Sequence, residues 1–171
     1  MSKTLDQLVG QLIIAGFRGD KVSDSSNISR YIKEYNLSGV ILYDEDLEKS
    51  GPGTRNIKSP NQVKELTGML QSISGTPLFI SIDQEGGHVN RLKTSYGFPE
   101  FPSWKHIGAI DNTLITKEFS SSISEAMVKT GINLNFAPVL DMDYGEKTYI
   151  GKLERAFSGD HKNVIEHSKI F

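Results

Sequence analysis

Short apolar runs of strand length alternate along the chain with amphipathic stretches of helical period. Thr4 is placed to cap a first short helix, with Asp6 and Gln7 in its first turn and Leu5, Leu8, Val9 and Leu12 at helical spacing. Residues 12–17, LIIAGF, predict a first strand, and the Arg18-Gly19-Asp20 that follows it is a chance tripeptide at a strand end. Ser26 or Asn27 begins a helix to about Tyr35 with Ile28, Tyr31, Ile32 and Tyr35 on one face, and Asn36 ends it. Residues 38–43, SGVILY, predict a second strand leading into Asp44-Glu45-Asp46 and a flexible polar loop from Glu48 to Lys58. Ser59-Pro60 starts a helix with Val63, Leu66, Leu70 and Ile73 as its apolar stripe, closed by Gly75. The third strand, Leu78 to Ile82, runs into Asp83-Gln84-Glu85-Gly86-Gly87. The aromatic and proline-rich residues 96–104 then read as a packed loop. Asn112 or Thr113 opens a long helix to about Lys129 with Ile115, Phe119, Ile123, Ala126 and Met127 facing in and Gly131 as its cap. Residues 132–137 make a fourth strand, residues 144–159 a long loop, and Asp160 caps a last helix carrying Val164, Ile165 and Ile170.

Strands alternating with helices argue for parallel βα units. Four such units are about half of a (β/α)8 TIM-type barrel, whose usual length is ~250 residues. Unit counting also admits an open, doubly wound four-stranded sheet. With 171 residues, 37% of them apolar and 23% charged, the chain is long enough for one sizeable core. A formal charge of -2 leaves no basic footprint, so nucleic acid is not an expected partner. No cysteine is present, which excludes a disulfide framework, thiolate metal sites and a cysteine nucleophile. The N-terminal apolar run is interrupted by Asp6, Gln7 and Gln11, so it reads neither as a signal peptide nor as a membrane span, and the cytoplasm is the default compartment. His106, His161 and His167 have no metal-ligand spacing and read as surface residues. No metal and no cofactor are expected, and the phosphate-binding and serine-hydrolase loops are absent.

The chemistry is concentrated after the third strand. Two acids, an amide and two glycines at a strand's C-terminal end read as a site loop, because ligands of parallel α/β folds bind there. Asp83 and Glu85 are two residues apart and on an extended backbone point the same way. Such a pair suits a glycosidase, which needs one carboxyl as acid and another as nucleophile or base; an ion pair or a turn-capping acid is the plainer alternative.

The string IDQEGGHVNRL resembles the DQEGG-x-V-x-R signature of the glycoside hydrolase family 3 N-terminal barrel, in its β-N-acetylhexosaminidase branch. Asn135 to Asp141, NFAPVLD, is similar to that family's FAPVLD strand end, and Ile150-Gly151 through Glu154-Arg155-Ala156-Phe157 resembles its IG-x-RSF loop. The resemblance implies that Asp83 binds sugar hydroxyls, with Arg91 beside it and Arg155 as a further sugar contact. Extra residues between Gly151 and Arg155, and Ala156 where the family has Ser, depart from the pattern; His88 stands where the family commonly has Arg. Asp141, as the FAPVLD acid, either shapes the pocket or caps a loop, and Glu85 is a further candidate contact. The aromatic excursion at 96–104 is an alternative platform for a sugar ring.

The resemblance further implies retaining hydrolysis of terminal β-linked N-acetylglucosamine in peptidoglycan or chitin fragments, with a β-glucosidase of the same family, or a non-catalytic sugar-binding fragment, as alternatives. The family's Lys-His followed by Pro-Gly-His, its Asp-x-His loop and its nucleophilic Asp are not found in these residues. No catalytic residue is therefore expected in this chain, the nucleophile and the histidine acid/base being expected beyond Phe171. Residues 1–171 thus read as the N-terminal part of a barrel cut before its catalytic loop. A half barrel would leave its outer strands with unpaired edges and its inner face unfilled, so poor solubility, self-association through those edges or dependence on a missing segment is expected.

Overall fold

The computed structural model describes residues 4–171; the first three residues of the N-terminal stretch judged above lie outside them. The chain divides into two compact units, one running to Ile82 and taking in Met127–Leu134, the other formed by Asp83–Ala126 with Asn135–Phe171.

The first unit begins with α1 (Leu5–Gly10), where Thr4 and Gln7 cap each other reciprocally. It continues through β1 (Ile14–Gly16), α2 (Asn27–Tyr35), β2 (Gly39–Leu42), α3 (Pro60–Ile73) and β3 (Phe79–Ile82). The strands stand in the order β1-β2-β3-β4, with β4 being Leu134–Asn135. Both β1–β2 and β2–β3 are parallel. A doubly wound sheet reverses its strand order at a switch point, whereas this order is sequential, as it is around a (β/α)8 barrel. The fold is α/β and corresponds to the first four βα units of that barrel.

Register explains the burial. Val40 lies opposite Ile80 and Leu42 opposite Ile82, so these four share one face, and all are fully buried. Ser81 alternates to the other face and donates its hydroxyl to the Val40 carbonyl at 2.9 Å. On α3, Ser59 caps and Pro60 starts the helix, and Val63, Leu66 and Leu70 are buried as the periodicity requires. Of the predicted stripe on α2, Ile28 and Ile32 are buried, whereas Tyr31 and Tyr35 are exposed and pair with each other, so the stripe is narrower than expected. The loop from Glu48 to Lys58 is tethered rather than free, because Asn56 is buried and bonds Tyr43 and the carbonyls of Phe17 and Gly19.

The second unit holds α4 (Trp104–Ile110), most of α5 (Thr113–Lys129), α6 (Tyr149–Lys152) and α7 (His161–Ile170). Its core is aromatic: Trp104 packs against Phe119, Phe157 and Phe171 with ring centroids about 5 Å apart. Tyr96, Phe98 and Phe101 are buried too, which assigns residues 96–104 to packing and leaves no aromatic platform there. Neither α4 nor α6 was expected. The α4 signal was present, since Ser103 precedes Trp104, Ile107 and Gly108 at helical spacing and caps the helix. His167 is a further correction: it is wholly buried, bonded to Thr116 at 2.6 Å and to Asp111 at 3.2 Å, and stacked on Phe157.

Candidate functional site

The loop after β3 is built by its amide. Gln84 is fully buried; its side-chain oxygen accepts from the backbone N–H groups of Arg91 and Leu92 at 3.0 and 2.9 Å, and its amide donates to Asn90. Its own backbone N–H donates to the Asn135 side chain, which returns a bond to the Gln84 carbonyl. One side chain therefore ties both ends of the loop, and the Asn135 side chain ties the loop to β4. Beyond it Gly86 bridges Val89 across the Gly87-His88 turn. Gly86 and Gly87 have φ of +90° and +57°, and a Cβ on either would collide with residues 101–103. Glycine is required here by backbone conformation and by close approach together.

The two acids before this turn differ in their surroundings. Asp83 is 30% exposed at its side chain, with Arg91, 26% exposed, at 3.9 Å. Glu85 is 5% exposed and accepts a two-pronged bond from Arg155, at 2.9 Å from Nε and 2.7 Å from a terminal nitrogen. The bond to Glu85 raises the Arg155 pKa above its ordinary value, and Asp83 adds attraction at longer range. The two carboxylates thus do not act as a matched pair: Asp83 is open to a ligand, while both oxygens of Glu85 are engaged. The second terminal nitrogen of Arg155 takes no part in that pairing.

Arg155 is delivered by α6 and the turn after it. Thr148 caps α6 through the Gly151 N–H at 3.0 Å, and the Arg155 N–H bonds back to the Ile150 carbonyl. Between them Glu154 adopts φ of +53°. Its carboxylate accepts from the Ser103 hydroxyl at 2.9 Å, and its carbonyl from the Lys105 N–H at 3.3 Å. The extra residues relative to the family loop form this left-handed turn. Asp143 accepts from the Gly145 N–H at 2.7 Å and pairs with Lys105 at 3.1 Å; these contacts, the Gly145 bond foremost, hold its pKa below the ordinary value. Asp141 is exposed and sits outside the Glu85–Arg155 pair. His88 lies exposed at the turn tip.

The structure therefore brings Asp83, Arg91, Glu85 and Arg155 into one charged cluster and leaves Asp141 apart from its ion pairs. Sequence reasoning missed Gln84 as the pin, Ser103 and Glu154 as supports, and the burial of His167. Among the described residues no cluster of three potential metal ligands occurs, and no helix is long and apolar enough to cross a membrane.

Residues 4–171 match the family model described as the glycosyl hydrolase family 3 N-terminal domain. A beta-hexosaminidase of Methylobacillus flagellatus is 35% identical over 143 residues, a match covering 80% of this chain and 37% of that protein. The solved glycoside hydrolase family 3 β-N-acetylglucosaminidase of Paenibacillus sp. FPU-7 superposes with a TM-score of 0.85 at 34% identity, covering 99% of this chain and 30% of that one. NagZ of Neisseria gonorrhoeae, solved with N-trifluoroacetyl-D-glucosamine, matches at a TM-score of 0.77 and 23% identity, covering 92% of this chain and 44% of that one. The chain thus spans less than half the length of each of these relatives.

Proposed function

Because the chain belongs to the glycosyl hydrolase family 3 N-terminal domain family, we propose that it supplies the sugar-binding part of a retaining β-N-acetylhexosaminidase. Its ligand is then a terminal β-linked N-acetylglucosamine, as in peptidoglycan or chitin fragments, and its compartment the cytoplasm. The observation that carries this reading is the division of labour after β3: Asp83 is accessible beside Arg91, while Glu85 is buried and holds Arg155. A carboxylate can accept two sugar hydroxyl protons at once, and a guanidinium beside it fixes its orientation and adds donors of its own. The terminal nitrogen of Arg155 that takes no part in the Glu85 pair supplies another donor to the same ligand, and Asp141, exposed beyond β4, is a further candidate contact.

The engaged oxygens of Glu85 leave it unsuited to serve as acid or nucleophile, and Asp83 is assigned to binding. In this reading the nucleophilic Asp and the histidine acid/base belong to parts of the family's barrel not represented among these 171 residues. The chain is the N-terminal part of such a barrel. The relatives named beta-hexosaminidase and the N-acyl-glucosamine complex of NagZ support the sugar class.

The test has two arms. Calorimetric titration with N-acetylglucosamine is expected to show binding that Asp83→Ala abolishes while its circular dichroism stays that of the parent. Release of para-nitrophenol from its β-N-acetylglucosaminide is expected to be nil with this chain alone, with the β-glucoside run in parallel. Turnover by the chain, or normal sugar binding by Asp83→Ala, would overturn the assignment, and preferential binding of glucose would move it to a β-glucosidase.

A further inference from the structure

The contacts around Arg155 close a ring. Glu85 holds the guanidinium. Two residues further on, Gly87 has no side chain, and a Cβ built there would lie 2.6 Å from the Ser103 Cβ, so Ser103 is seated against the loop. Ser103 then donates to the Glu154 carboxylate at 2.9 Å, and Glu154 is the residue before Arg155. All five residues lie in the second unit.

Glu154 is the weak point of that ring. It is not glycine, yet it sits at φ of +53°, a conformation that costs an L-residue free energy unless its surroundings impose it. The surroundings present are the Ser103 hydroxyl on its carboxylate, the Lys105 N–H on its carbonyl, and its own N–H on the Gly151 carbonyl. Ser103 is buried and rigid, because its hydroxyl oxygen also caps α4 through the His106 N–H at 3.3 Å. With the turn held in this way, the Arg155 guanidinium meets Glu85.

We infer that Glu154 is a positioning residue for Arg155: its bond to Ser103 holds the left-handed turn that presents the arginine to the ligand. The inference rests on the reading of Arg155 as a sugar contact, and the latch itself can be observed without sugar. In isotope-labelled protein the Arg155 Nε–H is expected as a downfield, slowly exchanging signal, because it donates to Glu85.

Three variants separate the causes. Glu154→Ala removes the carboxylate and keeps the strain. Glu154→Gly removes both. Glu154→Gln keeps an acceptor for Ser103. Glu154→Ala and Glu154→Gly are expected to return the Nε–H signal to the solvent-exposed position and to weaken N-acetylglucosamine binding by about tenfold, the range for losing a bond to a charged group. Glu154→Gln is expected to restore both to within about twofold of the parent, a smaller change than losing one neutral bond gives. If Glu154→Ala and Glu154→Gly leave the Arg155 signal unchanged, or if Glu154→Gly matches the parent in both readouts, the latch is overturned. A parent that binds no sugar, but whose Nε–H signal responds as described, would overturn the proposed function and leave the latch standing.

Discussion

Removing either partner of the Glu85–Arg155 pair should destabilise the second unit unequally. Glu85 is 5% exposed at its side chain and Arg155 22%. When Arg155 is replaced by Met, a carboxylate stays buried without its cation, and the cost approaches that of breaking a buried ion pair, about 3–4 kcal/mol. When Glu85 is replaced by Ala, the arginine left behind can turn its head to water, and the loss falls to about 1–2 kcal/mol, that of hydrogen bonds to a charged group. Replacing both, as Glu85→Leu with Arg155→Met, leaves no buried charge and should recover most of the loss, to within about 1 kcal/mol of the parent. The chain's single tryptophan, Trp104, lies in this unit's core, so its fluorescence during urea unfolding reports on that unit. With a urea dependence of about 1–3 kcal/mol per molar, the two single variants should differ in midpoint by about 1 M. Equal midpoints, or a double variant as unstable as the sum of the singles, would refute the claim that burial of the carboxylate sets the cost.

Two further outcomes test the frame around the site. His167→Ala removes a buried ring bonded to Thr116 and Asp111 and stacked on Phe157; it should cost about 2–4 kcal/mol by the same fluorescence assay, and a change under about 0.5 kcal/mol would restore the surface reading. Asp143 has its pKa lowered from 3.8, chiefly by the Gly145 N–H and then by Lys105. A carboxyl with a depressed folded-state pKa contributes stability above its unfolded pKa and loses it as pH falls through the folded one. The stability difference between the parent and Asp143→Asn should therefore be present at about pH 6 and vanish toward about pH 2.

Most of the strand and helix order was legible because it rests on period and on local caps. Thr4, Ser59 and Asp160 cap the helices they were expected to cap, and Asn36 ends α2 in the left-handed conformation. These are short-range effects, fixed by residues within one turn of each other. Apart from α4, whose cap at Ser103 is local, much of what escaped depends on contacts distant in sequence. His167 is buried because Thr116 and Asp111, on and just before α5, offer both ring nitrogens a partner. The predicted flexible loop is tied down through Asn56 to carbonyls near residue 17, 39 positions away.

The same distinction decides what Asp83 and Glu85 do. Spacing alone treats them as equivalent, since two residues apart on a strand means one face. The strand, however, ends at Ile82, and Gln84 and Gly86 turn the chain between and after the two acids. Once Glu85 is buried, its charge requires a cation, and Arg155, seventy residues later, provides it through two bonds. Asp83 remains at the surface of the turn with Arg91 at 3.9 Å, a separation loose enough for a ligand hydroxyl to compete for the carboxylate. A glycosidase pair needs both carboxyls facing the scissile bond; here one acid is spent on holding an arginine. In the proposed function the loop after β3 is thus a binding device, and on the inference drawn from Glu154 the arginine that Glu85 holds belongs to it because the Glu154 turn delivers it there.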